Sequence, residues 1–270
     1  MSLASPDDGN DEPARRWDAA SYHKVSGPME AMGAKVLDRL PLAGDETVLD
    51  AGCGTGRVTA LLCDRLPQGR VLAVDADAAM VAACRATLGE QVDAGHVEVR
   101  QVDLLALDLD AEVDAVLSTA TFHWILDHDL LFARLFAALR PGGRLVAQCG
   151  GDGNIASILG AADAVGAGGP WADRFDGWVR PSRMATAEET AAKLTGAGFG
   201  DVRTWLEPAP QVPDEPAEYL RTVNLGAHLH RLDEPDHDEF VRLVLQRLPR
   251  PVTIDYVRLN MDATRPAAAG

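Results

Sequence analysis

The chain has 270 residues, 47% hydrophobic and 24% charged, with a formal net charge of −16. These proportions suit one α/β domain with an added lid, and so acidic a surface excludes nucleic acid and anionic membranes as expected partners. The four cysteines, Cys53, Cys63, Cys84 and Cys149, show no disulfide or metal-ligand spacing, and no apolar run approaches the ~20 residues that span a bilayer, so a cytoplasmic protein with reduced thiols is expected.

Residues 1–14 are polar and acidic, without a signal-peptide pattern, and read as a disordered tail; 15–46 read as a helical cover. Strands and helices then alternate through 148, the pattern of a doubly wound parallel sheet. A strand at 47–49 runs into Asp50-Ala51-Gly52-Cys53-Gly54-Thr55-Gly56 and a helix at 58–66. Three glycines at alternate positions let the backbone turn tightly and approach a ligand, and the helix N-terminus offers N–H groups to an anion. Asp50, read as the strand end, adds an acceptor suited to a ligand that also carries positive charge. The G-x-G-x-G spacing differs from the dinucleotide fingerprint G-x-G-x-x-G, which disfavours a nicotinamide enzyme. A second strand, 70–75, ends in Asp75, where a carboxylate can accept from both hydroxyls of a ribose. Asp77 fits the N-cap of a helix reaching about 88 that carries Met80. A third strand, 97–102, leads into Asp103 and Leu104; Asp103 is either a loop cap or a ligand-facing acid.

Strand four is read at 114–118, followed by Thr119-Ala120-Thr121-Phe122-His123-Trp124, a helix at 129–139, a turn at Arg140-Pro141-Gly142-Gly143-Arg144, and strand five at 145–149. Thr186-Ala187-Glu188-Glu189 is a capping box that opens a helix to 197, ended by Gly198. Strand six is read at 202–206 and strand seven at 252–261. Two segments stand outside the sheet: 151–183, with Trp171, Phe175 and Trp178, and 213–250, read as two helices separated by Asp233-Glu234-Pro235. Ligands bind outside the carboxyl ends of parallel strands, so these segments and the N-terminal cover are the expected walls of the second-substrate pocket. His228 and His230 either line it or lie on a helix surface.

The string D-A-G-C-G-T-G, with Asp75 one strand later, resembles motif I of the class I S-adenosylmethionine-dependent methyltransferases. The string L-R-P-G-G-R-L is similar to a structural turn of the same methyltransferases, and the strings Trp17–Tyr22, Ser118–Trp124 and Asp127–Asp129 resemble the trans-aconitate 2-methyltransferase family, whose members methylate small-molecule carboxylates. The resemblance implies a Rossmann-like, doubly wound seven-stranded α/β sheet spanning 47–265, with strand seven antiparallel beside strand five and a helical lid. It implies S-adenosylmethionine as cofactor, S-adenosylhomocysteine as product and no metal. Cofactor contacts are expected from Asp50, Gly52, Cys53, Gly54, Gly56, Asp75, Ala76, Met80, Asp103, Leu104, Thr119 and Ala120. Tyr22 and His123 are the expected catalytic residues beside the methyl group. His123 would orient the acceptor, take a proton from it, or serve only as a structural histidine. The chain departs from the family in two places. An aromatic pair on the helix at 186–197 is replaced by small residues such as Thr190 and Ala191, and a family arginine has Ala227 and His228 as its nearest counterparts, flanked by Arg221 and Arg231.

The expected reaction is O-methylation of a small-molecule carboxylate by direct displacement, in a monomer or homodimer. Transfer to nitrogen, carbon or a hydroxyl, which would need a base such as His123, and a non-catalytic cofactor-binding regulatory module are the alternatives.

Overall fold

Alternating side chains along the central strands divide the core between two helical layers. The computed structural model describes residues 27–268. Among these, β1 (Thr47–Ala51), β2 (Arg70–Asp75), β3 (Val97–Gln101), β4 (Val113–Thr119), β5 (Leu139–Gly150), β6 (Gly200–Pro208) and β7 (Val257–Thr264) form one sheet in the order β3-β2-β1-β4-β5-β7-β6. The first five run parallel, and β7 is antiparallel to both β5 and β6. Val48, Val71, Ala73, Leu117 and Val146 point to one face, against the helices Gly27–Leu37, Arg57–Asp64 and Ala78–Thr87. Leu49, Leu72, Val74, Val116 and Leu145 point to the other, against the helices His128–Ala138 and Ala187–Gly196. A strand buried on both faces needs apolar residues at every position, which explains the continuous runs in the sequence. Each fully buried aliphatic side chain contributes roughly 1.5–3 kcal/mol.

Element boundaries shift in three informative places. β1 continues through Ala51, so Asp50 lies inside the strand, paired in register with Ala73 and Leu117. β5 begins at Leu139, so the Arg-Pro-Gly-Gly stretch is taken into the strand and not left as a turn. Gly142, at φ 85°, donates its N–H to Arg265 O at 2.8 Å, and Arg265 N–H returns to Gly143 O at 2.8 Å. β7 starts at Val257 and not at 252, because the preceding residues bridge to Gln211 through Ile254 and enter the lid core.

The segment 213–250 is more broken than two helices. It runs through Pro216–Tyr219, a π-helical turn Leu220–Asn224, Gly226–Leu229, a 3-10 turn Glu234–Asp236 and the helix His237–Arg247. Its apolar residues Leu220, Leu225, Phe240 and Val244 pack with Ile158 and Val165 of the helix Ala156–Gly166 and with Ile254 and Tyr256. Two insertions far apart in sequence therefore share one hydrophobic core. No helix among the described residues is long and apolar enough to cross a membrane.

Candidate cofactor and acceptor site

The glycine loop owes its shape to β2. Gly52 and Cys53 both donate their N–H groups to Val74 O at 2.9 Å, and Gly54 N–H donates to Asp75 Oδ2 at 3.0 Å. The loop's own N–H groups thus hold the loop, and the helix Arg57–Asp64 contributes a first turn with no side-chain cap. All three glycines take positive φ, at 88°, 54° and 84°, which is strained for other residues. Their surroundings differ. A Cβ on Gly52 would lie 2.1 Å from Thr121 Oγ1, and one on Gly56 would meet Cys84 Sγ at 3.0 Å, whereas one on Gly54 would meet nothing within 4 Å. Gly52 and Gly56 are small because protein packs on them; Gly54 is small beside open space.

Asp75 is half-buried at the end of β2. Besides Gly54, it receives Asp77 N–H on Oδ1 at 2.9 Å, so both oxygens are held in place. Burial raises its pKa, against the pull of those N–H bonds. Asp77 caps the next helix as expected, accepting from Ala79 N–H and Met80 N–H at 2.7 and 3.0 Å. Met80 and Leu104 are buried, Ala76 is exposed, and Thr119 and Ala120 are half-buried at the end of β4. Asp103 is exposed and accepts from Leu105 N–H at 2.9 Å, so it does serve as a loop cap.

Asp50 departs most from its sequence reading. It is 1% exposed, and Thr59 Oγ1 donates to its Oδ2 at 2.7 Å, tying β1 to the following helix. Burial raises its pKa to about 6, with the Thr59 bond opposing and Asp75 adding to the rise. Cys53 is also buried; its thiol is pushed up by a hydrogen bond to Cys84 and by burial.

His123 lies in a 3-10 turn, Phe122–Trp124, after β4, and is 7% exposed. Its Nδ1 accepts Gly150 N–H at 3.3 Å, and its carbonyl accepts Arg183 N–H at 2.8 Å. The ring tilts against Trp124, centroids 4.6 Å apart. Because Nδ1 accepts, the neutral ring carries its proton on Nε2. Tyr22, with the string 17–22, lies outside the described residues.

Sequence reasoning missed two features here. Ala120 sits in the left-handed region at φ 57°, with its N–H donating to Gln148 O at 2.7 Å; no glycine flags that bend. His228 lies neither on the surface nor in an open pocket. It is 1% exposed, its Nε2 is 3.2 Å from Asp163 Oδ1, and it packs among Phe175, Trp178 and Phe240. A cleft of about 570 Å³ on the lid, lined by Asp163, Phe175, Trp178 and Arg180 among others, includes none of the expected cofactor residues.

Residues 48–143 match the family model described as a methyltransferase domain. A trans-aconitate 2-methyltransferase of Azoarcus sp. (strain BH72) is 32% identical over 228 residues, which cover 83% of this chain and 86% of that protein. The chain belongs to the class I S-adenosylmethionine-dependent methyltransferases. Another trans-aconitate 2-methyltransferase, from Streptomyces coelicolor, is 31% identical over 82% of this chain and 74% of its own length. Phosphoethanolamine N-methyltransferase 2 of Haemonchus contortus, solved with phosphomonomethylethanolamine and S-adenosylhomocysteine, superposes with a TM-score of 0.63 at 20% identity. That match covers 92% of this chain and 57% of the solved one. The [4+2]-cyclase SpnF shares the fold at TM-score 0.60 and 19% identity, over 88% of this chain and 82% of the other. At such identities the likeness is one of fold, which hosts more than one chemistry. This methyltransferase is an enzyme that uses S-adenosylmethionine, and the regulatory-module alternative falls away.

Proposed function

We propose that this methyltransferase transfers the methyl group to a carboxylate oxygen of a small-molecule acid. The observation that carries the acceptor class is the 32% identity, over 86% of the relative's length, to a trans-aconitate 2-methyltransferase.

The residues suit the cofactor. Open space beside Gly54 and the uncapped helix start admit the methionine portion next to the loop. Asp75, already oriented by two N–H groups, keeps lone pairs for two ribose hydroxyls. Met80 with Ala76 and Leu104 forms the adenine surface, and Asp103 has acceptor capacity beyond its cap bond for the adenine amino group. Thr119 and Ala120 flank the methionine side at the end of β4. Asp50 and Cys53 act from beneath the loop, where a buried carboxylate is stabilised by the ligand's ammonium charge.

S-adenosylmethionine supplies a methyl group already activated on its sulfonium. The chain's own task is positioning and dehydration, with ~7–11 kcal/mol available from alignment alone. A carboxylate is ionised at neutral pH, so the protein need not remove a proton. His123 matches that role: with Nδ1 accepting from Gly150, Nε2 is a donor that orients an oxygen, not a base that strips a proton. This geometry favours a carboxylate over an amine or hydroxyl acceptor.

The test uses methyl-labelled S-adenosylmethionine with a panel of carboxylic acids that includes trans-aconitate. Label that mild base releases as methanol is the expected result. Base-stable label, or no product from any acid, overturns the proposal.

A further inference from the structure

We infer that Thr121 is a positioning residue: it joins the glycine loop to the His123 turn and so sets how the donor methyl group stands relative to His123. The inference rests on the reading above, in which His123 orients the acceptor oxygen. The two parts it joins come from different strands, the loop from β1 and the turn from β4. Ladder pairing between these neighbours ends at Asp50 and Leu117. Beyond that register, side chains tie the two strand ends together. Ser118 Oγ donates to Ala51 O at 2.6 Å, one residue short of the first loop glycine. Thr121 supplies the next link.

Its hydroxyl lies 3.3 Å from Gly52 O and 3.1 Å from Thr119 O, so a single proton serves the loop carbonyl and the end of β4. The side chain also lies flush on the glycine. A Cβ on Gly52 would stand 2.1 Å from Oγ1, 2.4 Å from Cγ2 and 2.7 Å from Cβ of Thr121. Gly52 is thus held from two sides, by Val74 O on its N–H and by Thr121 on its carbonyl. Thr121 stands at the N-cap of the 3-10 turn Phe122–Trp124, yet its side chain caps no N–H of that turn. A threonine at such a place ordinarily turns its oxygen to the turn's own N–H groups. Here the hydroxyl is given to the loop instead.

The same residue holds His123 through the backbone. Trp124 N–H donates to Thr121 O at 2.9 Å and closes the turn that carries the imidazole. His128 Nε2 donates to Phe122 O at 3.0 Å, and Arg183 N–H donates to His123 O at 2.8 Å, so the next helix and the lid brace the turn as well. Those braces set the turn against its own surroundings, whereas the Thr121–Gly52 contact sets it against the cofactor loop. A misplacement of about 1 Å between reacting groups costs about a hundredfold in rate. A link that keeps loop and turn from drifting by a fraction of that distance therefore governs turnover. Cofactor affinity is secured elsewhere, by the bonds from the loop to Val74 O and Asp75.

The experiment compares Thr121→Val, which keeps the shape and loses the hydroxyl, with Thr121→Ser, which keeps the hydroxyl. Turnover is measured with methyl-labelled S-adenosylmethionine on the fastest-methylated acid of the panel above, for each variant alone and combined with His123→Ala. Thr121→Val should lower kcat about fivefold at unchanged S-adenosylhomocysteine affinity, and Thr121→Ser should restore most of it. A group already removed cannot be misplaced, so Thr121→Val with His123→Ala should fall no further than the roughly tenfold loss of His123→Ala alone. Losses that multiply to about fiftyfold overturn the inference, as does wild-type turnover in Thr121→Val. Thr121→Ala, which only removes atoms, takes the place of the valine variant where that one folds poorly. A second readout needs no acceptor and uses protein labelled with ¹⁵N-histidine, His123 being assigned by its absence from His123→Ala. S-adenosylhomocysteine should shift the His123 ring signals of wild type and Thr121→Ser more than those of Thr121→Val; equal shifts overturn the inference. Base-labile label with multiplying losses would sink the positioning role and leave the carboxylate reading standing. Base-stable label with losses that do not multiply would do the reverse. Where no acid is methylated the carboxylate reading falls, and the ring signals alone decide on Thr121.

Discussion

The two halves of the sheet solve different problems. From β1 to β3, the polar groups around the ligand loop are local: Gly54 reaches Asp75 across 21 residues, Asp77 reaches Asp75 across two, and Thr59 reaches Asp50 across nine. From β5 to β7 they are remote: Gln148 meets Arg258 across 110 residues, Tyr219 meets Tyr256 across 37, and His228 meets Asp163 across 65. A cofactor common to a family can be held by one strand-loop-helix unit. The remote contacts, by contrast, exist only where the lid segments and β7 fold back on the sheet.

The contrast can be broken most forcefully at Asp75. Asp75→Ala removes the proposed ribose acceptor and frees the Gly54 and Asp77 N–H groups, and should weaken cofactor binding about 300-fold, some 3–4 kcal/mol. Calorimetry showing equal affinity in wild type and variant would sink the ribose assignment. Next come two glycines of the same loop. Gly52→Ala drives a methyl group into Thr121 and should cost about 3 kcal/mol of stability. Gly54→Ala meets no protein atom and should cost only about 1 kcal/mol of backbone strain, yet weaken the cofactor. Thermal melts with and without cofactor separate the two; equal melting losses would refute the division between packing glycine and ligand glycine.

Asp50 yields a pH-dependent prediction. Its folded pKa, about 6, lies above the ordinary 3.8. A raised acid favours the folded state fully below about 3.8, and that advantage is lost as pH climbs to about 6. At pH 8 the buried charge opposes folding by up to about 3 kcal/mol. Asp50→Asn should therefore make the cofactor-free protein more stable than wild type at pH 8, by about 2 kcal/mol, with the difference shrinking toward pH 4. A difference that does not change with pH would show that the charge carries no such strain. A modest effect on turnover is expected at His123. His123→Ala should lower turnover about tenfold at unchanged cofactor affinity, and the wild-type rate should stay flat from pH 7 to 9. A rate that rises with pH in wild type and not in the variant would make His123 a base.

How much was legible follows from the same division. Local rules read the glycine loop, the Asp77 cap and the alternation of strands and helices; the place of β7 beside β5 came from the family resemblance. They placed Thr186 correctly as an N-cap, with its Oγ1 accepting Glu189 N–H at 3.1 Å, but not the other half of the capping box, because Glu189 pairs with Arg183 instead. They also put β7 five residues early, since 252–256 look strand-like alone yet serve the lid core.

The sequence by itself determined the parallel sheet, the glycine loop and the acid at the end of β2 that holds it. Strand alternation, glycine geometry and capping all act within a few residues of one another. Tertiary structure alone decided that Asp50 is buried, that His123 accepts from Gly150, that Thr121 lies against Gly52, and that Gln148 meets Arg258. Those outcomes depend on which faces pack together across the fold, and no local pattern encodes a contact between residues a hundred positions apart.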